Sequence, residues 1–196
     1  MPSEFLLKEY DLCFEQLRFY DTRQEELLKY LFTMTSAIAA AQFAVLQFLG
    51  KPTQTFFAAQ GFLSFVVFIA SLLLYLMILQ NRLYFVFIAR QINAIRKYML
   101  QTDAAAFMEN QLYTSTSFSA FKWMSVHSFQ ILGAAMISSL FAAVSTFGIL
   151  HAVEVSCTLI STVLVWLVVI VSEVIGGAIY LKRKSAKDAD TAVHRM

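Results

Sequence analysis

Polar side chains vanish from this chain for long stretches and then return in blocks. Four apolar runs result, at residues 30–49, 56–79, 129–150 and 155–181, with 20, 24, 22 and 27 residues. A helix rises about 1.5 Å per residue, so about 20 apolar residues cross a hydrocarbon core of about 30 Å. None of the four runs contains Lys or Arg. In lipid every backbone amide needs an internal partner, which leaves helices or closed-barrel strands. Continuous apolarity without period-2 alternation excludes the barrel. The pattern predicts an all-α protein with four transmembrane helices.

The polar blocks carry a helical period of their own. Leu6, Tyr10, Cys13, Leu17, Tyr20, Gln24, Leu27 and Leu31 follow at spacings of four and three, a heptad-like seam on one helix face. Ser3 can cap this helix, and Glu4 suits its first turn. No Pro or Gly interrupts residues 3–49, so helix and first span are expected to be continuous. The same holds from Phe62 to Gln101, which carries the second helix well past the membrane edge. There Tyr84, Phe87, Ile88, Ile92, Ile95 and Met99 make an apolar face, with Arg82, Arg90, Asn93, Arg96 and Lys97 mostly on the other side.

The expected organisation has four parts. Residues 1–101 form a long hairpin with an extension over 80–101 and a turn at Lys51-Pro52. Residues 102–128 are a connector, with Thr102 or Asp103 capping a short helix at 104–109 and a polar break at 113–118. Phe121, Lys122 and Trp123 have the aromatic-plus-Lys character of a headgroup-level anchor. Residues 129–181 form a second hairpin, and 182–196 a basic tail.

Charge placement orients this frame. Of 15 Lys and Arg, 14 lie before the first run, between the second and third, or after the fourth; the two short turns hold only Lys51. Positive loops stay cytoplasmic, so both termini and the connector are expected inside a multi-pass protein of the cell (inner or plasma) membrane. Residues 1–29 hold seven acids and no apolar core, so no cleaved leader is expected. Cys13 and Cys157 then lie on opposite faces and cannot pair within one chain; both read as packing residues, with a bridge between subunits through Cys157 as the alternative. Residues 1–29 balance at −3 and residues 80–127 at +3. Opposite charge beside apolar seams predicts that the two extensions pair antiparallel, within one chain or between neighbours.

Three features are candidates for function. Glu173 is a carboxylate eight residues before Leu181, about 12 Å from that end of its run. An ionisable group there faces a bundle interior or a wet cavity. It reads as a polar ring in an oligomeric pore or a proton-linked switch, or else as a structural pair with Arg82 or a protonated acid bonded to a neighbour. Gly176-Gly177, one turn on, can loosen the helix. Second, Arg90, Asn93, Arg96 and Lys97, with Arg82 nearer the membrane, can grip phosphates of a nucleotide, an oligonucleotide or a lipid headgroup. The same residues also serve as topology signal or as partners of the acidic helix. Third, Ser36, Ala37, Ala40, Ala41 and Ala44 in the first run, and Ala134, Ser138, Ala142 and Ser145 or Thr146 in the third, let helices approach closely. Gln42, Gln47 and Gln60 are amides that line water or cross-link helices, and Gln42 and Gln47 join Glu173 as pore candidates.

Enzymatic parts are missing. His127, His151 and His194 form no metal spacing, and no Gly-x-Ser-x-Gly elbow occurs. No catalytic residue, metal or cofactor is expected.

The acidic, Tyr-rich helix at residues 10–30, followed by a second span running on through residues 82–97, resembles the hairpin of SLATT-type proteins. These are small prokaryotic membrane effectors encoded beside nucleotide-signalling and antiphage enzymes. The resemblance covers residues 5–100 and rests on layout; the second pair of spans departs from the simplest two-span members. It implies a homo-oligomeric channel or pore-forming effector in antiphage defence, released or triggered by a partner; taken with the basic face, the expectation is gating through the cytoplasmic helices by an anionic ligand or protein partner. A non-conducting scaffold that recruits a cytoplasmic protein is the alternative, and a small proton-coupled exporter using Glu173 a third reading.

Overall fold

A computed structural model describes residues 4–49, 52–99 and 115–187. The expected short helix at 104–109, its caps Thr102 and Asp103, Lys51 and His194 lie outside the described residues. Among the described residues there are four helices: α1 (Glu4–Leu49), α2 (Gln54–Met99), α3 (Val126–Ala152) and α4 (Thr158–Lys187). All four are long and apolar enough to cross a membrane. At 46 residues each, α1 and α2 reach about 70 Å. Both therefore extend far beyond their apolar runs, and residues 4–29 of α1 and 80–99 of α2 form a two-helix stalk.

The helices pack around a central pair, α2 and α3, each of which touches both α1 and α4. α1 packs on α2, α2 on α3 and α3 on α4, while α4 also meets the stalk-side half of α2. The α2–α3 pair is the centre, and its contact is built from small residues. Ser64, Ser71, Ala134, Ala135, Ser138 and Ser139 are wholly buried. Ser71 returns its hydroxyl proton to the Val67 carbonyl at 2.8 Å and Ser139 to Met136 at 3.0 Å, so neither needs a cross-helix partner. Where such helices lie in lipid, whose tails are as apolar as Leu, close van der Waals approach rather than expulsion of water holds them together. At the turn end the approach is tightest. A Cβ on Gly148 would lie 2.7 Å from the Phe57 carbonyl oxygen and 2.8 Å from Gly61 Cα.

The stalk pairs within one chain, as one of the two expected arrangements. Cys13, Ile92 and Ile95 form a buried cluster, with Tyr10, Phe14, Leu17, Ile88 and Met99 against it. Every residue of the α1 seam from Leu6 to Leu31 is buried or half-buried. Polar bonds fix the register. Asn81 Nδ2 donates to the Tyr20 carbonyl at 2.7 Å and to Gln24 Oε1 at 2.9 Å. The Arg96 guanidinium lies over the rings of Tyr10 and Phe14, at 5.8 and 5.6 Å.

Two boundaries differ from expectation. The second turn falls at residues 153–157 rather than 151–154: α3 runs on through Ala152, the chain reverses at Glu154 in the left-handed region (φ 57°), and α4 starts at Thr158 rather than Val155. The Val153 and Glu154 amides cap the freed carbonyls of Ile149 and His151. The connector also differs. Phe121 is not a headgroup anchor but a core residue, 5% exposed, beside Ala120. Trp123 stays outward at 62% exposed. Met124, at φ 64°, then turns the chain into α3, whose first turn Ser125 caps.

Candidate functional site

Glu173 enters the bundle from α4 at the point where α2, α3 and α4 converge. It is 7% exposed. Its Oε1 accepts from Ser138 Oγ of α3 at 2.8 Å, and its Oε2 is buried without a partner. The expected pairing with Arg82 does not form, because Arg82 is turned the other way and donates to the Ala120 carbonyl at 3.3 Å. The backbone at Glu173 is held as well: its carbonyl accepts from Tyr75 Oη at 2.5 Å. That bond needs the glycine one turn on, since a Cβ on Gly177 would meet the Tyr75 hydroxyl at 2.3 Å. Gly177 therefore admits the tyrosine rather than loosening the helix. Tyr75 lies four residues, about 6 Å, inside the end of its apolar run. The carboxylate thus belongs to the stalk-side half of the apolar region rather than its centre.

A cleft of about 450 Å³ runs beside this carboxylate between α2 and α4. Its walls are mostly apolar, from Leu72, Leu76 and Leu79, with Gly176 opposite and Gln80 and Tyr180 at the stalk end.

Much of the basic face of α2 is engaged within the chain. Arg90 is 6% exposed. Its Nε and Nη2 donate to the Phe118 carbonyl, at 3.1 and 2.5 Å, and its Nη1 to the Ser185 carbonyl of α4 at 2.6 Å. Burial lowers its pKa from the ordinary value. Asn93 donates to the Ser115 carbonyl at 2.8 Å, and the Ala120 amide reaches Ser185 Oγ at 3.4 Å. Arg82, Arg90 and Asn93 thus take hold of successive connector carbonyls, and Arg90 also grips the end of α4. Arg96 lies in the stalk seam, and Lys97 alone of the five is exposed.

The pore-candidate amides separate likewise. Gln42 donates to Ser64 Oγ at 2.9 Å, a cross-link between α1 and α2. Gln47 is exposed on the outer side of α1, as are Ser36, Ala37, Ala40, Ala41 and Ala44. The corresponding stripe of α3, at Ala134, Ser138, Ala142 and Ser145, is buried within the chain. Sequence reasoning missed Tyr75 and Ser138 as partners of Glu173, and Ser185 as the anchor of Arg90. A lone Tyr or Ser in an apolar run carries no signal of what it meets on another helix.

Among the described residues no group of three His, Cys, Asp or Glu converges on a point. No family model, no curated protein and no solved structure matches this chain.

Proposed function

We propose that this chain is one subunit of an oligomeric channel or pore-forming effector of the cell membrane, with its stalk in the cytoplasm as the sensor. The observation that carries the reading is the grip of Arg90 on α4. Arg90 belongs to the stalk, and Ser185 belongs to the helix that holds Glu173 about 18 Å further along. Displacement of the stalk therefore bears directly on the helix of the carboxylate. Carboxylates lining a pore favour cations. The small, exposed face of α1 supports self-association, since such faces let membrane helices approach closely.

Of the two triggers considered, the geometry favours a protein partner over an anionic ligand. Arg90 and Asn93 are already committed to carbonyls, whereas Phe5, Leu12 and Phe19, at 72, 44 and 58% exposed, make an outward apolar line at heptad spacing. The same line is what favours the second reading, a non-conducting scaffold. The antiphage setting rests on the layout resemblance and is tested by whether a nucleotidyltransferase-like gene lies beside this one.

In liposomes holding the purified protein, K⁺ flux is expected, and Glu173→Gln is expected to reduce its cation-over-anion preference about tenfold. Identical flux and selectivity in wild type and variant would remove Glu173 from the conduit. No flux under any trigger, with a stable partner complex, would favour the scaffold.

Orientation has a separate test. Cys157 is exposed, and Cys13 is 3% exposed, with burial and the nearby Glu9 pushing its thiol up to about 11. A thiol so raised holds almost no thiolate near neutrality and reacts slowly. A membrane-impermeant maleimide applied to intact cells is expected to label Cys157 and leave Cys13 untouched. Labelling of Cys157 only after the cells are opened would invert the topology.

A further inference from the structure

We infer that the cleft between α2 and α4 is a binding site for a lipophilic organic cation, with the cation's charge seated beside Glu173. The cleft's volume of about 450 Å³ falls within the range of about 300–1,000 Å³ typical of small-molecule sites. Its composition has the character of such a site: apolar walls and one ionisable group at a fixed place. Glu173 is more than nine-tenths buried, and its Oε2 has no partner. A buried polar oxygen left unmet is costly, and a charged one more so. No Lys, Arg or His lines the cleft among the described residues, so the chain supplies no counter-ion of its own there.

The chemistry of the walls selects the kind of cation. A small inorganic cation needs about six oxygen ligands or must carry water with it; beside the few oxygens of Ser172, Glu173 and Gln80 the walls are Leu72, Leu76 and Leu79, which supply none, so such an ion is not held here. A delocalised organic cation is weakly hydrated and brings its own apolar surface to those leucines. Tyr180, part exposed at the stalk end, offers a ring face to positive charge. A lipid chain alone would fill the apolar walls and bring no charge to the carboxylate. Gln80 and Tyr180 mark the route in, from the stalk-side surface of the bilayer toward Glu173.

Two substitutions address the charge and the space separately. Glu173→Gln removes the charge. Gly176→Leu keeps it and fills the cleft, because a Cβ at Gly176 meets no atom within 4 Å. The probe is tetraphenylphosphonium, with tetraphenylborate as its anionic counterpart of the same shape. Binding is measured at equilibrium on the full chain in nanodiscs of uncharged lipid. Saturable binding of the phosphonium and none of the borate is expected, with about tenfold or greater weakening in each variant. Equal binding of borate, or unchanged phosphonium affinity in Glu173→Gln, would overturn the inference. Should Glu173→Gln fail to fold, full-strength binding by Gly176→Leu would overturn it alone. The inference does not depend on conduction: a protein that binds the phosphonium and passes no ions keeps this site and loses the channel reading.

Discussion

Replacing Arg90 with alanine is expected to release residues 115–121 and the end of α4 from the bundle, at a cost of about 3–5 kcal/mol. The guanidinium directs three N–H groups at two carbonyl oxygens, those of Phe118 and Ser185. Hydrogen bonds from a charged donor are worth about 1.5–3 kcal/mol each, and the carbonyls left behind lose that partner in a place with little access to water. The rings of Phe87 and Phe118, 6.0 and 5.8 Å from the guanidinium carbon, lose their cation as well. Unfolding by SDS titration measures the cost. Hydrogen exchange locates it, with faster exchange expected at residues 115–121 and 181–187 and little change at Leu31 or Val67. Arg90→Lys keeps the charge but not the fork, so it is expected to fall between the two. Wild-type stability and exchange in Arg90→Ala would show that the connector is held by Phe121 and its neighbours instead.

Replacing Gly148 with valine is expected to be the most damaging change at the turn end, at about 2–3 kcal/mol. What a side chain there would strike is backbone: the Phe57 carbonyl oxygen at 2.7 Å and Gly61 at 2.8 Å. Backbone atoms of a helix do not rotate aside as a side chain does, so α2 and α3 must separate. Separation would also disturb the ring contact of Phe57 with His151, whose centroids are 4.1 Å apart. Gly133 is the internal comparison, since it lies on the same helix and a Cβ there meets nothing within 4 Å. Gly133→Val is expected to stay within about 1 kcal/mol of wild type in the same SDS titration. Equal losses at the two positions would mean that helix propensity, and not the α2–α3 crossing, sets the effect.

The frame of this fold was legible in the sequence because its signals are local. An apolar run of the right length, a seam at spacings of four and three, and the lack of Pro and Gly each read from neighbouring residues. α1 and α2 accordingly form the continuous helices expected, and the seam from Leu6 to Leu31 is the face that packs. Glu173 stood out because a carboxylate is rare among so many apolar neighbours. Its surroundings did not, because Tyr75, Ser138 and Gly177 come from three helices and their meeting depends on register. The partners of the basic face were hidden for a related reason. Composition shows that Arg90 can seek an oxygen acceptor but not that the acceptors are carbonyls of its own chain. The turn before α4 was set too early because Val155 is apolar, while the reversal is made by backbone geometry at Glu154.

The central α2–α3 pair sets what one molecule can enclose. α1 and α4 each lean on both members of that pair, and the contact between the two is filled by residues with no open surface. Rods clasped about a solid axle leave no bore. A conduit of the kind proposed would therefore run between copies rather than through one.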